Sequence, residues 1–129
     1  MTEMADSEIG AIVLAAGKGT RMKSDLPKVL HKLGGKPMIR HVTDMLADLA
    51  PSRICIVIAP NMERVAAAVA PHQTAIQSDP LGTGHAALSA ESVMDDFTGD
   101  VFILFGDTPL ISAETLKSMI AARRSPAAP

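Results

Sequence analysis

The stretch LAAGKGTRMKSDLPK, which begins at Leu14, places two glycines and four cationic side chains directly after an apolar run. Glycine lets the backbone approach a ligand closely, and successive backbone N–H groups in such a loop form a concavity that binds anions. Arginine makes bidentate contacts with phosphate, whereas lysine acts as a point charge. We therefore expect Gly17, Arg21 and Lys28 to help hold a polyphosphate, with a solvated basic loop as the alternative. Because position 22 is Met, the stretch is not a GxGxxG loop, and no Gly-x4-Gly-Lys-Ser/Thr string occurs.

A carboxylate follows another apolar run, in the string FGDTPL that begins at Phe105. Magnesium prefers one or two carboxylates together with phosphate oxygens, so Asp107 beside a phosphate loop is a candidate metal ligand. The alternative is that Asp107 starts a turn through Thr108 and Pro109.

A second glycine-containing loop, QSDPLGTGHA, begins at Gln77. Gly82 and Gly84 permit close approach to a ligand, Thr83 can donate and accept hydrogen bonds, and the Gln77 amide can read the edge of a base. A glycine loop capped by Thr83 is the alternative. We interpret His85 as a residue at the start of a helix rather than as a catalyst, and the other three histidines lack metal-ligand spacing.

Four strands alternate with four helices in the pattern of apolar residues. The strands are expected at Ile9–Ala15, Arg53–Ala59, Thr74–Gln77 and Val101–Phe105; the helices are expected after Pro37, after a cap at Asn61, after LGTG, and from a cap at Ser112 to about Arg124. This order predicts a Rossmann-like α/β fold with a mostly parallel sheet and helices on both faces. Ligands of such sheets bind beyond the carboxyl ends of the strands, where the loops described above would meet.

The composition excludes several classes of protein. The 129 residues are 47% hydrophobic but only 2% aromatic, and the net charge is −2, so neither base-stacking platforms nor a basic surface for nucleic acid is expected. Cys55 stands alone in an apolar run, which indicates a small core side chain and a reducing compartment. The acidic beginning MTEMADSE is not a signal peptide, and no apolar run is long enough to span a membrane. We expect a cytoplasmic protein with a flexible segment at 1–8 and one domain portion at 9–129.

Three strings together resemble a known family. LxxGxGTRM followed by PK is similar to the signature of the sugar-phosphate nucleotidyltransferases. LAAGKGTRMKSDLPKVLHKLGGKPM, LGTGHA and FGDTPLI, in this order, more specifically resemble the bacterial bifunctional N-acetylglucosamine-1-phosphate uridyltransferase/glucosamine-1-phosphate acetyltransferases. The resemblance extends from Ile9 to about Arg124 and covers the first part of the family's catalytic domain.

The resemblance implies a nucleotide-diphospho-sugar transferase fold and a Mg²⁺-dependent reaction. Uridylyl would pass from UTP to N-acetylglucosamine 1-phosphate, giving UDP-N-acetylglucosamine for peptidoglycan and lipopolysaccharide synthesis, and pyrophosphate. It further implies roles for particular residues: backbone or side-chain contacts to the nucleotide from Leu14, Ala15, Ala16 and Gly17, phosphate contacts from Arg21 and Lys28, uracil recognition by Gln77, Gly82 and Thr83, substrate contacts from Phe105 and Gly106, and Mg²⁺ binding by Asp107.

The sequence also departs from the family. Phe105 stands where these enzymes often have Tyr, which removes a hydroxyl and keeps an apolar wall. The family's catalytic domain continues past residue 129, and its acetyltransferase β-helix, which forms the trimer, would be absent. We therefore expect a sheet that is incomplete at its C-terminal side, with an unpaired edge or uncovered apolar surface. A cytidylyltransferase, a nucleotide-binding module without turnover and an oligomerising fragment are the rival interpretations.

Overall fold

The computed structural model describes residues 8–16, 26–79 and 81–124, which form an α/β fold around a four-stranded parallel sheet. The strands are β1 (Ile9–Leu14), β2 (Lys32–Leu33), β3 (Lys36–Pro37), β4 (Arg53–Ile58), β5 (Gln73–Ile76) and β6 (Asp100–Phe105). The helices are α1 (Met38–Leu49), α2 (Glu63–Val69), α3 (Thr83–Leu88), α4 (Glu91–Met94) and α5 (Ala113–Arg124), and a 3-10 helix spans Lys28–Leu30. The predicted fold class is confirmed.

Strand β1 lies inside the sheet, whose order is β5-β4-β1-β6. It is paired in parallel on both sides, and Leu14 lies opposite Val57 of β4 and Phe105 of β6. Strands of this kind are buried on both faces, which explains why β1 and β4 are nearly continuous apolar runs. All four predicted strands are present, and each strand end lies within one residue of the predicted position.

Helices cover both faces of this sheet. On one face, α1, α2 and α5 contribute buried side chains that include Ile39, Val65 and Leu116. On the other face, α3 packs through the buried Ala86 and α4 through the partly buried Val93 and Met94, in the cluster that contains Cys55. No helix within the described ranges is both long and apolar enough to cross a membrane.

The expectation that Cys55 is a core side chain is confirmed. It is fully buried in β4, and this burial raises the pKa of the thiol to about 11. A thiol with so high a pKa is protonated at neutral pH and therefore unreactive.

Three local features differ from the sequence predictions. The hairpin β2–β3 was missed: Gly34 and Gly35 have φ values of 63° and 83°, the left-handed pair that a two-residue hairpin turn requires. Asn61 does not cap α2, because it adopts a left-handed φ of 67° and the helix begins two residues later. The single helix expected after LGTG is two short helices, since the Ser89 hydroxyl bonds the His85 carbonyl and α3 ends there.

The cap predicted at Ser112 is confirmed. Its Oγ accepts a hydrogen bond of 3.2 Å from the backbone N–H of Thr115, three residues into α5. This contact satisfies one of the free N–H groups at the start of the helix.

Strand β6 forms an open edge of the described sheet. Among the described residues it pairs only with β1. Val101, Ile103 and Phe105 alternate along it on one face and are 41%, 49% and 46% exposed. The expected unpaired edge and uncovered apolar surface are therefore both present in the described part of the chain.

Hydrogen bonds between charged side chains connect the amino ends of the strands to neighbouring elements. Asp100, at the start of β6, accepts 2.8 Å hydrogen bonds from Nε of Arg123 and Nε of Arg124, and Arg124 also donates to the Glu8 carbonyl. The Arg53 guanidinium similarly donates to the Asp96 carboxylate. The last turn of α5 is thus tied to the amino ends of β6 and β1.

We predict that Asp100 contributes pH-dependent stability. The hydrogen bond from Arg123, followed by that from Arg124, lowers the pKa of Asp100 below its usual value near 4. A carboxylate with a lowered folded-state pKa stabilises the fold above its unfolded-state pKa, and this contribution is lost as the pH falls through the folded-state value. Asp100→Asn should therefore reduce the free energy of unfolding at pH 7 by about 1 kcal/mol or less, because the Arg123 and Arg124 side chains are 72% and 32% exposed and solvent screens both pairs. Urea unfolding from pH 7 to pH 2 should show the two proteins converging below about pH 4.

Asp48→Asn provides the matched control, because Asp48 is exposed on α1 and forms no ion pair with another described residue. Its difference from the wild type should be small at every pH. A constant difference for Asp100→Asn across the whole pH range would contradict the prediction.

Candidate functional site at the carboxyl ends of the strands

The carboxyl ends of all four long strands meet at one edge, and backbone hydrogen bonds continue the sheet by one residue there. The Ala15 N–H donates to the Val57 carbonyl at 2.8 Å, and the Gly106 N–H donates to the Leu14 carbonyl at 3.0 Å. The Gln77 N–H donates to the Ile58 carbonyl at 2.8 Å. The loops singled out in the sequence therefore start from fixed backbone positions on the same side of the sheet.

Leu14, Ala15 and Ala16 offer their backbone rather than their side chains to this edge. Their side chains are 9%, 3% and 7% exposed and are divided between the two hydrophobic layers. The resemblance implied that these residues contact a nucleotide. Such contacts would therefore come from peptide groups. Gly17, named for the same contact, and Arg21, named for phosphate contacts, lie outside the described residues.

Lys28 and Asp107 form an ion pair across this edge. The distance from Lys28 Nζ to Asp107 Oδ2 is 3.3 Å, and about a third of each side chain is exposed. Lys28 begins the 3-10 helix, and Asp107 lies in the turn after β6. The sequence singled out both residues for chemistry on phosphate groups, and the fold brings them into contact.

The turn after β6 starts before Asp107, not at Asp107 as one interpretation of the sequence had it. Both the N–H and the hydroxyl of Thr108 donate to the Phe105 carbonyl, so the turn starts at Phe105 and Asp107 is its third residue. The interpretation in which Asp107 starts the turn is therefore wrong. Its carboxylate reaches Lys28 instead.

Gly106 determines how closely these two segments approach. A Cβ at this buried residue would lie 3.2 Å from Val29 Cγ1 and 3.4 Å from Ile39 Cδ1. Only one of these contacts is tighter than ordinary van der Waals distance, so a side chain here would push against the 3-10 helix. The absence of a side chain at position 106 thus helps to bring Lys28 near Asp107.

Asp107 fits a divalent cation only as part of a larger ligand set. Within the described ranges, no group of three or more His, Cys, Asp or Glu side chains could hold a metal ion. One carboxylate that is about one-third exposed is nonetheless the protein contribution that Mg²⁺ requires when substrate phosphates and water supply the remaining oxygens. Asp107 therefore suits a cation that arrives with a nucleotide.

The loop after β5 surrounds the side chain of Gln77, which is only 7% exposed. Gln77 Nε2 lies 3.3 Å from the Gly82 carbonyl oxygen and 3.0 Å from Nδ1 of His85. Gly82 has a φ of 101°, which only glycine adopts without strain, and it precedes the first residue of α3. Gly82 and Thr83 are themselves exposed and can meet a ligand directly.

Thr83 does not cap α3 in this structure. Gly82 precedes the helix and Thr83 is its first residue, with no side-chain hydrogen bond at the cap.

Phe105 lies beside Leu14 at the end of β6 and is half exposed, so it presents the expected apolar wall.

His85 is the residue of this site that sequence analysis missed. It is at the start of a helix, as expected, but its ring also contacts Gln77, eight residues earlier in the chain. The loop between them folds back through the left-handed Gly82. The only sequence signal was the combination of a Gln, a glycine loop and a His in one short string.

We predict that the Lys28–Asp107 pair contributes little to stability. Because both side chains are about one-third exposed, solvent screens the pair, and such pairs contribute about 1 kcal/mol or less. Lys28→Met, Asp107→Asn and the double variant should each unfold in urea within about 1 kcal/mol of the wild type. As a control, a double-mutant cycle on the more exposed ion pair Lys36–Asp44 should give a similar coupling energy. A loss well above 2 kcal/mol in either single variant would assign the pair a structural role.

Comparison with known proteins identifies close relatives of this chain. The bifunctional protein GlmU of Paramagnetospirillum magneticum is 54% identical over 126 residues, which are 98% of this chain and 28% of that protein. The bifunctional protein GlmU of Rhodospirillum rubrum is 53% identical over 117 residues, 91% of this chain and 26% of that protein. The chain therefore spans about a quarter of the length of the curated relatives it matches.

Solved structures with the same fold are more distant in sequence. The manganese complex of Rv0371c from Mycobacterium tuberculosis has a TM-score of 0.73 at 18% identity, over 92% of this chain and 60% of that one. The 4-diphosphocytidyl-2C-methyl-D-erythritol synthase of Anaerococcus prevotii has a TM-score of 0.69 at 19% identity, over 94% of this chain and 53% of that one. These likenesses confirm the fold.

The family is established by its sequence model, which matches residues 11–129. This range contains every element of the described sheet apart from the first two residues of β1. The chain belongs to the family of MobA-like NTP transferase domains.

Proposed function

We propose that this chain carries the nucleotide site of a uridylyltransferase. The reaction transfers uridylyl from UTP to N-acetylglucosamine 1-phosphate and yields UDP-N-acetylglucosamine, a cell-wall precursor, and pyrophosphate. The observation that carries the proposal is the contact between Lys28 and Asp107 at the carboxyl edge of the sheet. It occurs in a chain that shares about half its residues with bifunctional proteins named GlmU.

The proposed chemistry needs positioning and positive charge rather than a covalent nucleophile. The phosphate oxygen of the sugar attacks the α-phosphorus of UTP, the bond to the β-phosphate oxygen breaks, and pyrophosphate leaves. Holding the two substrates in line lowers the entropic part of the barrier, and fixed cations stabilise the charge on the phosphates. Lys28 provides one such cation at the site, and we assign Arg21 the same role.

Asp107 is the proposed ligand for Mg²⁺. A bound divalent cation supplies positive charge that draws the phosphates together and offsets their repulsion. The solved structure of Rv0371c, which shares the fold, is described as a complex with manganese, and this supports the use of a divalent cation. The Asp107 carboxylate also pairs with Lys28. We infer that nucleotide phosphates take over Lys28 as Asp107 takes up the cation.

The nucleotide is proposed to lie along the exposed edge, with its phosphates near Lys28 and its base near Gln77. Peptide groups of Leu14–Ala16 lie between them, because β1 is between β6 and the β4–β5 pair. Gly82 and Thr83 flank the base on the exposed side of the loop. We place the protein in the cytoplasm, where UTP and sugar phosphates occur together.

A cytidylyltransferase is the second candidate. The synthase of Anaerococcus prevotii, whose name includes a diphosphocytidyl group, shares the fold. Nucleotide preference separates the two functions. Binding of UTP without turnover would instead make this chain a nucleotide-binding module.

The first test is thermal unfolding of the 129-residue chain with UTP, CTP, GTP and ATP, each with and without Mg²⁺. We expect a rise in melting temperature that is specific to UTP and larger with Mg²⁺. A ligand at one hundred times its Kd stabilises the fold by about 2.7 kcal/mol. Cooperative unfolding that no nucleotide shifts would contradict the proposed site in this chain, and a shift specific to CTP would favour the second candidate.

The second test measures turnover when the chain is extended to the full length of its relatives. Arg21→Ala and Asp107→Asn should each lower kcat about a hundredfold, because each removes one preorganised electrostatic contact worth about 3 kcal/mol. Pyrophosphate release provides the rate. Lys36→Ala is the matched control, since Lys36 pairs with Asp44 on the hairpin side and is assigned no catalytic role. Rates near wild type in both site variants would refute the proposed function.

A further inference from the structure

The imidazole of His85 lies against the side-chain amide of Gln77, and none of the steps above uses it. Nδ1 of His85 is 3.0 Å from Gln77 Nε2, and the Gly82 carbonyl oxygen is 3.3 Å from the same nitrogen. Backbone contacts anchor both residues. The Gln77 N–H bonds the Ile58 carbonyl, and the His85 carbonyl accepts from both the N–H and the hydroxyl of Ser89.

The contact with Gly82 fixes which end of the amide faces the loop. A backbone carbonyl oxygen can only accept a hydrogen bond, so the amide atom beside it must be the NH₂ group. The atom beside His85 is the same NH₂ group, and Nδ1 must therefore accept its second hydrogen. The proton of a neutral His85 ring is then on Nε2. Both hydrogens of the Gln77 amide are used inside the protein.

The carbonyl oxygen of Gln77 is the part of the amide that these contacts do not use. Among the described residues no group donates a hydrogen bond to Oε1. An oxygen in this position accepts a hydrogen bond and cannot donate one. It therefore favours a base edge that carries an N–H. The ring N3 of uracil carries a hydrogen, whereas N3 of cytosine is an acceptor.

We propose that His85 is a positioning residue that sets base selectivity by holding the Gln77 amide with its oxygen toward the ligand. This role rests on the proposed function, in which the base of the nucleotide lies beside Gln77. Without the acceptor on His85, one amide hydrogen loses its partner, and of the two hydrogen bonds described for this amide only the 3.3 Å contact with Gly82 remains to oppose its rotation. Rotation would present the NH₂ group, which suits the acceptor N3 of cytosine.

The test compares three variants of the 129-residue chain by titration with UTP and with CTP in Mg²⁺. His85→Leu keeps a bulky side chain at this position but removes the hydrogen-bond acceptor Nδ1. It should reduce the preference for UTP over CTP about fivefold, the effect of one net hydrogen bond. His85→Asn restores an acceptor close to the position of Nδ1 and should recover the preference. His72→Leu is the matched control, because His72 precedes the opposite end of β5 and should leave the preference unchanged.

A second readout needs no nucleotide. Measured at alkaline pH, the ¹⁵N chemical shifts of the His85 ring in the free chain should report the proton on Nε2, with Nδ1 as the acceptor. A ring protonated on Nδ1 overturns the inference whatever the titrations give. UTP binding with an unchanged preference in His85→Leu also overturns it and leaves the proposed function standing. Failure of the wild type to bind either nucleotide overturns the proposed function and the selectivity role with it, while the ring shifts separately test the contact with Gln77.

Discussion

The double-sided parallel pairing of β1 is the constraint on which the rest of the structure depends. Leu14 is opposite Val57 on one side and Phe105 on the other, and the hydrogen bonds of Ala15 and Gly106 extend both ladders past the strand ends. Because parallel strands all run in one direction, their carboxyl ends must lie at one edge. The functional loops come together through this geometry, although they are far apart in the sequence.

The two edges of the sheet use charge in different ways. At the amino ends, Asp100 and Arg53 have partners inside the protein, and several charged hydrogen bonds hold helix ends and strand ends together. At the carboxyl ends, Lys28 and Asp107 pair only with one another among the described residues, and a third of each side chain is accessible. A pair of this kind can exchange its partners for a ligand at small cost in stability. For this reason we assign ligand binding to the carboxyl edge of the sheet and a stabilising role to the charged contacts at its amino edge.

The sequence predicted the long elements well because their signals are physical and local. Continuous apolar runs locate β1 and β4 within one residue, and Ser112 marks the start of α5. Features that depend on backbone conformation or on contacts across a loop were harder to predict. The hairpin strands have only two residues each, which is too short for an alternating apolar pattern to predict them. Gly34 and Gly35 are nonetheless a typical pair for a hairpin turn.

The candidate site was predicted in part for the same reason. Residue type and position beyond a strand were sufficient to select Lys28, Asp107 and Gln77. The burial of the Leu14–Ala16 side chains and the contact of His85 with Gln77 depend on tertiary packing, which a spacing argument does not contain.

Gly106 has a consequence for anyone who would engineer this protein. Val29 and Ile39 fill the space that a side chain at position 106 would need, and Val29 is the neighbour of Lys28 in the chain. A side chain at position 106, or a larger one at position 29 or 39, would press on the 3-10 helix that carries the ammonium group facing Asp107. Thermostability and the geometry of the candidate site are therefore coupled at this point of the core: repacking it for a higher melting temperature also changes the distance between the two charges.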